Sequence, residues 1–209
     1  MINSKCKICR RLGVKLFLKG ERCLSPKCPM VKRAYPPGQK GKRRKGILSE
    51  YGKQLGEKQK LKSWYNLGER QFKKYIKEIL EKGGRVEDAS AEIIKILELR
   101  LDNVVFRLGF AVSRARARQL VSHSYFLVNG KSINIPSYQL KKGDVISLKP
   151  SKVKKAIFQN LKNLLKKYKT PSWLELNLEK LEGKVIGEPK LEEVTPPVEI
   201  SAIFEYYSR

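Results

Sequence analysis

Four cysteines, all within the first 28 of 209 residues, are the side chains best suited to coordination chemistry: Cys6-x2-Cys9, then thirteen residues, then Cys23-x4-Cys28. Two short chelating pairs joined by a loop can converge four thiolates tetrahedrally. That is the donor set of a structural Zn²⁺ site, which keeps no open position for a catalytic water. Lys5, Lys7, Arg10, Arg11, Arg22 and Lys27 flank the thiols and are expected to lower their pKa values. An iron–sulfur cluster, two disulfides and a redox dithiol at Cys6 and Cys9 are the competing readings, and a reducing compartment disfavours the disulfides. A basic segment this short has little core of its own, whereas metal binding contributes roughly 10–16 kcal/mol of apparent folding free energy. One structural zinc is therefore expected.

The rest of the chain offers no reactive constellation. There is one histidine, His123, and neither a GxxxxGK[ST] phosphate loop nor an HExxH pair occurs. His123 reads as a group that stacks on a base or bonds a phosphate, and Asp102, beside Arg100, as a local ion-pair partner. No enzyme and no small-molecule substrate are expected.

Positive charge is what the chain has in excess: 46 Lys and Arg against 20 Asp and Glu, net +26. Residues 1–46 carry net +14, 47–98 net +2, 99–153 net +8 and 154–209 net +2, so two basic blocks alternate with two nearly neutral ones. Neutralisation of phosphates by Lys and Arg, with release of counterions, drives nucleic-acid affinity, and a nucleic-acid partner is the first expectation. Anionic lipid is the alternative. The start has no apolar stretch of signal-peptide length and no run reaches the ~18 apolar residues of a membrane span, which predicts an uncleaved cytoplasmic or organelle-matrix protein with no membrane partner.

With 41% hydrophobic residues the chain can fill the cores that must position these groups. Pro36-Pro37-Gly38 breaks the chain before a basic run, Lys40, Lys42, Arg43, Arg44 and Lys45, which reads as an arm laid along an RNA backbone or as a solvated linker. From Ser49 the pattern turns helical, with Leu48, Tyr51 and Leu55 at helical spacing. A second helix, Glu69 to Lys82, gathers Phe72, Tyr75, Ile76, Ile79 and Leu80 before the Gly83-Gly84 stop. A third starts near Ser90 with Ile93, Ile94, Leu97 and Leu101 inward, and Val104, Val105 and Leu108 continue a helical face to Gly109.

Ser113 is an N-cap for a short helix over 114–122, in which Ala115, Leu120 and Val121 can pack and Arg114, Arg116 and Arg118 fan outward. Asn129-Gly130 between Phe126-Leu127-Val128 and Ser132-Ile133-Asn134-Ile135 predicts a type I′ hairpin, followed by a strand over 145–148. Only Asp102 and Asp144 oppose the ten basic residues of this block. Lys154 to Lys167 is a basic amphipathic stretch with Ile157, Leu161, Leu164 and Leu165 at core spacing. The alternating tail from Ile200 to Tyr207 is expected to dock as a strand or to contact a partner.

These residues resemble the bacterial-type S4 (uS4) family of small-subunit ribosomal proteins. The resemblance rests on the four-cysteine segment with 16-LFLKG-20, Tyr35-Pro36-Pro37-Gly38-Gln39, 48-LSEYG-52, Glu57-Lys58-Gln59, 69-ERQF-72, 100-RLDNVVFRLGFA-111, 118-RQLVSH-123, 128-VNGK-131, 135-IPSY-138 and the terminal 205-EYYSR-209. Residues 99–153 alone resemble only the S4-type RNA-binding module, which also occurs in pseudouridine synthases and tyrosyl-tRNA synthetases; the flanking matches select the ribosomal family. Three departures stand out. The usual Arg-Tyr and Gly-Pro are missing before Cys6, Lys40 replaces a histidine, and Ser124 and Tyr125 replace a Gly and a His.

The resemblance implies an α+β protein. Its parts are a zinc-bearing basic arm (1–46), a helical domain (47–98), an S4-type module of two short helices with a small twisted antiparallel sheet (99–153), and an amphipathic helix with a tail (154–209). Residues 170–209 are expected to pack back on the helical domain. It implies Zn²⁺ on Cys6, Cys9, Cys23 and Cys28, and binding of the 5′ domain of 16S rRNA early enough to nucleate subunit assembly. It also implies a place near the mRNA entry path, a contact with the fifth small-subunit protein that affects decoding accuracy and, in some members, translational autorepression. The residues expected on RNA are Arg10, Arg11, Lys40, Lys42, Arg43, Arg44, Lys45, Arg100, Arg107, Ser113, Arg114, Arg116, Arg118, Gln119, His123, Asn129 and Lys131. Tyr206, Tyr207 and Arg209 are expected on a protein partner.

Overall fold

The computed structural model describes residues 5–39, 41, 46–83, 86–153, 155–159, 161–166 and 168–208. The helices α1 (Lys5–Leu12), α2 (Glu21–Leu24), α3 (Pro29–Lys32), α4 (Glu50–Trp64), α5 (Glu69–Lys82) and α6 (Val86–Glu98) come first. Then follow α7 (Leu101–Arg107), α8 (Arg114–Ser122), β1 (Phe126–Val128), β2 (Lys131–Ser132), β3 (Val145–Leu148), α9 (Pro150–Val153), a 3-10 turn (Ala156–Phe158) and α10 (Leu161–Lys166). The chain ends with β4 (Leu174–Asn177), β5 (Glu182–Val185), α11 (Leu191–Val194) and α12 (Ser201–Ser208). Two compact units result, one of residues 1–93 with 195–209 and one of residues 94–194, so the boundary falls inside α6.

In the first unit, Ser49 caps α4 by accepting the Gly52 N–H, Gly83 (φ 64) stops α5, and α5 buries Phe72, Tyr75, Ile76 and Ile79. Leu80 is exposed instead. The buried face of α4 is not the Leu48, Tyr51 and Leu55 row: Leu48 and Tyr51 are exposed, while Gln54, Lys58 and Leu61 face inward. The tail explains this. It is the helix α12, not a strand, because Ile200, Ile203 and Phe204 recur at helical spacing and bury against the unit. Docked there, Gln54 Nε2 donates to Glu205 Oε2 at 2.9 Å, and Lys58 Nζ lies 4.4 Å from the centre of the Tyr206 ring.

Lys58 and Lys62 each donate to Glu69, at 2.7 Å. Partial burial pushes the Glu69 carboxyl up, but the two lysine hydrogen bonds and charges outweigh it and hold the pKa down at about 2, against 4.5 for the free group. A depressed carboxyl pKa stabilises the fold above 4.5 and loses that contribution as pH falls toward 2. After allowance for screening of a partly exposed carboxylate, wild type should lose about 1–2 kcal/mol in this window that Glu69→Gln does not lose. Acid unfolding followed by circular dichroism checks this, and parallel curves for the two proteins would contradict it.

The second unit is an antiparallel five-stranded sheet in the order β2-β1-β3-β5-β4, covered by α7 and α8. The expected hairpin forms with Asn129 (φ 49) and Gly130 (φ 79) at the turn, in the left-handed geometry of type I′, although its second strand is only Lys131–Ser132. The sheet is larger than expected. Residues 170–194, expected to pack on the helical domain, supply β4 and β5 to this sheet and group with the second unit, and only residues 195–209 belong to the first.

The absence of a side chain at Gly183 in β5 lets Leu108 pack on the strand, because a Cβ there would overlap its Cδ1 and stand 2.6 Å from its Cδ2. The amphipathic stretch after 153 is a 3-10 turn and a short helix, burying Phe158, Leu161 and Leu165 while Ile157 and Leu164 stay exposed. The α6 helix does not run on into α7. Arg100 is extended (φ −68, ψ 137), and the open amides of Leu101 and Asp102 are satisfied by the carbonyls of Tyr138 and Pro136. Among the described residues no helix is long and apolar enough to cross a membrane.

Candidate nucleic-acid interface and cysteine cluster

The α8 helix is positioned by its cap and its apolar side. The Ser113 hydroxyl accepts the Arg116 N–H at 3.3 Å, and Ala117, Leu120 and Val121 bury in a common core with Leu101, Val104, Val105 and Leu108 of the α7 segment. Ala117, not Ala115, is the fully buried alanine. Ser113, expected on RNA, is buried as that cap.

Three of the expected RNA-binding arginines are committed to the framework. Arg100 is 1% exposed, with Nε 3.0 Å and NH2 2.8 Å from the two carboxylate oxygens of Asp102, a bidentate pair inside the fold. It is not at the surface, and the local pairing expected for Asp102 is present. Arg107 is held just as closely by Glu98: Nε donates to Oε2 at 2.9 Å and NH2 to Oε1 at 2.8 Å. Arg114 does not fan outward. Its Nε donates to Asn103 Oδ1 at 2.8 Å, its NH2 lies 3.9 Å from Glu98 Oε1, and its guanidinium sits 4.7 Å from the Phe106 ring centre. The carboxylate responsible, Glu98, is fully buried and lies one residue outside the block in which only Asp102 and Asp144 were counted.

Removing these three leaves a smaller surface set. Arg116 and Arg118 are half-buried on the outer side of α8, Gln119 and His123 are exposed, and Lys131 is exposed on β2. Arg116 NH1 donates to Gln119 Oε1 at 2.6 Å, which holds the guanidinium against the helix surface. Asn129 locks the hairpin, donating to Asp144 Oδ1 at 2.8 Å and accepting the Val145 N–H at 2.9 Å, while remaining exposed. The basic residues Lys141 and Lys142, exposed in the β3 approach, were not among the expected contacts. Their neighbours are turn residues, and no periodic signal points to them.

In the amino-terminal segment Arg11 is exposed, whereas Arg10 turns inward: its Nε donates to the Tyr35 carbonyl at 2.9 Å and its guanidinium lies 5.1 Å from the Tyr35 ring centre. Arg10 thus ties the Tyr35-Pro36 turn to α1. Lys40, Lys42, Arg43, Arg44, Lys45 and Arg209 lie outside the described residues. Tyr206 and Tyr207 face their own chain: Tyr206 Oη is 3.3 Å from Tyr51 Oη, and Tyr207 Oη donates to Glu69 Oε1 at 3.1 Å. Burial and the adjacent Glu69 charge raise the Tyr207 phenol, so the hydroxyl remains a donor.

The cysteines are gathered by three short helices. Cys6 and Cys9 are one turn apart on α1, Cys23 lies in α2, and Cys28 precedes α3. All four thiols are free, and all four line one small pocket with Lys5, Lys15, Leu18, Lys19, Pro29 and Met30. The Lys19 amide donates to Cys23 Sγ at 3.4 Å. Burial, with the neighbouring Cys23, Cys6 and Cys28, raises the Cys9 thiol despite a backbone hydrogen bond from Leu16. This corrects the expectation that the flanking cations lower it. Among the described residues no group of three or more His, Cys, Asp or Glu stands in metal-ligating arrangement. As a donor set, four thiols around one pocket match a soft tetrahedral ion.

Comparison with known proteins adds to this geometry. Residues 1–98 match the model of the ribosomal protein S4/S9 N-terminal domain, and residues 99–146 match that of the S4 domain. The chain is 50% identical over 208 residues to small ribosomal subunit protein uS4 of Caldicellulosiruptor saccharolyticus, covering 100% of this chain and 98% of that one. It is 49% identical to the protein of the same name from Halothermothrix orenii and 47% identical to that from Thermotoga petrophila, with 98% of this chain and 96% of each relative covered.

Proposed function

The chain belongs to the bacterial-type uS4 family of small ribosomal subunit proteins, and from that premise we propose that it grips its ribosomal RNA through the outer side of α8 and the β1–β2 hairpin. The family is one of ribosomal structural proteins that bind small-subunit rRNA, not of enzymes. The observation that carries the site assignment is the division of labour among the arginines. Arg100, Arg107 and Arg114 are paired inside the unit with Asp102, Asn103 and Glu98, whereas the outer side of α8 and the hairpin carries Arg116 and Arg118, half-buried, with Gln119, His123 and Lys131 exposed. Folded RNA presents phosphates, 2′-hydroxyls and shape more than readable base edges, and a fixed array of guanidinium, amide, imidazole and ammonium donors suits that target.

The finer reading has the protein bind the 5′ domain of 16S rRNA early, nucleate subunit assembly in the cytoplasm, and support decoding accuracy from a place near the mRNA entry path and the fifth small-subunit protein. Arg11 and the basic run after Pro37 supply the amino-terminal contacts. Cys6, Cys9, Cys23 and Cys28 would hold one Zn²⁺, whose chemistry is structural: it cross-links α1, α2 and α3 in a segment with few apolar residues to bury. A metal held by these four thiols as thiolates would displace their protons.

Equilibrium binding to a 5′-domain rRNA fragment and to bulk tRNA, across a salt titration with and without a zinc chelator, tests this reading. A preference for the fragment of about 10³-fold at moderate salt is expected. Chelation should release one zinc per chain and reduce that preference. Equal affinity for the two RNAs would overturn the rRNA assignment, and an unchanged metal content of zero would overturn the zinc assignment.

A further inference from the structure

Tyr125 follows α8 directly, two positions past His123, and its amide donates to the Leu120 carbonyl at 3.2 Å. The ring is 9% exposed and backed by Phe158, whose ring centre is 5.8 Å away. Two ammonium groups share it: Lys155 Nζ lies 5.2 Å and Lys152 Nζ 5.4 Å from the ring centroid, and Lys155 also donates to the phenol oxygen at 3.2 Å.

The backbone fixes this grouping. The Lys149 amide donates to the Tyr125 carbonyl at 2.8 Å, the Lys152 amide to the Lys149 carbonyl at 2.8 Å, and the Lys155 amide to the Lys152 carbonyl at 3.1 Å. Both ammonium groups lie within 5.4 Å of the ring centroid, Lys155 at the hydroxyl edge, and two like charges around one ring are favourably placed when phosphates of a polyanion neutralise them. Among the described residues neither lysine is ion-paired to a carboxylate.

We infer that Lys152 and Lys155, mounted on Tyr125, form a phosphate clamp for the RNA backbone that extends the interface past the residues 99–146 matched as the S4 domain. The inference rests on the reading of α8 as the RNA face, because the clamp adjoins the end of α8 that carries Gln119 and His123. Tyr125 is a positioning residue: its hydroxyl accepts from Lys155 and its ring lies 5.4 Å from the Lys152 ammonium.

The test uses the full chain and the 5′-domain rRNA fragment, with tRNA as the reference, across a salt titration. The Lys152→Gln, Lys155→Gln pair should weaken fragment binding about tenfold and make the slope of log K against log salt shallower by about 1.4–1.8, the loss of two phosphate contacts. The Lys152→Arg, Lys155→Arg pair should restore the slope. Tyr125→Phe, which removes only the hydroxyl bond to Lys155, should weaken binding less and keep the slope. An unchanged slope in the Gln pair, with wild type still preferring the fragment, overturns the clamp and leaves the α8 face standing. Loss of fragment preference in wild type overturns the reading of the face and the clamp with it. A lowered unfolding midpoint in the Gln pair, with no recovery of slope in the Arg pair, assigns the lysines a structural role and also overturns the clamp.

Discussion

Replacing Glu98 by alanine is expected to cost the unit of residues 94–194 about 3–5 kcal/mol, the range for breaking a buried ion pair from one side. Glu98 is fully buried, and one carboxylate organises three neighbours: Oε2 accepts Asn103 Nδ2 at 2.6 Å and Arg107 Nε at 2.9 Å, while Oε1 accepts Arg107 NH2 at 2.8 Å and faces Arg114. Without it, two guanidinium groups stay inside the unit with one charge partner fewer than the fold provides. Desolvated cations in that position are costly because their hydration is not replaced. Urea unfolding of Glu98→Ala against wild type measures the loss. A change below about 1 kcal/mol would mean that water reaches the site and screens it as it does a surface pair.

The second large effect is on RNA. The triple substitution of Arg116, Arg118 and Lys131 by alanine should weaken binding to the rRNA fragment by about 10²–10³-fold at moderate salt, at about 1–1.5 kcal/mol for each charge-assisted contact. Its salt slope should become shallower by about 2–3. Lys131 is exposed and Arg116 and Arg118 are half-buried, so the unfolding midpoint should fall by far less than in Glu98→Ala. Arg100→Ala separates the two roles: its guanidinium is locked on Asp102, so it should lose stability and leave the salt slope of the surviving folded protein unchanged. Binding of the triple variant with wild-type affinity and slope would remove α8 and the hairpin from the interface.

Local signals were legible where one short stretch of chain decides the structure. Glu69 to Lys82 carries its periodicity and its Gly83 stop within itself, Ser113 caps α8 from the adjacent position, and Asn129-Gly130 enforces the turn that pairs Val128 with Lys131. The misreadings arose where a distant partner decides. Glu98 lies nine residues from Arg107 in sequence and outside the segment in which carboxylates were counted, so Arg107 was expected on RNA and Arg114 was expected to fan outward. On α4 the apolar row Leu48, Tyr51 and Leu55 marked the wrong face, because Glu69, Tyr206 and Tyr207, from elements up to 149 positions away, bring Lys58 inward.

The strands β4 and β5 were hidden for a related reason. Each is four residues long, and Gly183 weakens the strand signal of β5 at the point where Leu108 needs the space. The cysteine spacing led to the expectation that the four thiols meet, and all four line one small pocket, although among the described residues no three of them stand in metal-ligating arrangement. The Cys9 thiol was misjudged because flanking charges were weighed and burial was not.

The central claim, that the outer side of α8 and the hairpin lie on rRNA, is tested most directly by residue-specific chemical footprinting of the protein bound to the 5′-domain fragment. Lys131 and His123 are exposed in the protein alone and should react freely with amine- and imidazole-directed reagents. In the saturated rRNA complex both should be protected, whereas tRNA at the same concentration and salt should protect neither. Full reactivity of Lys131 and His123 in the saturated complex would contradict the account and move the interface elsewhere on the protein.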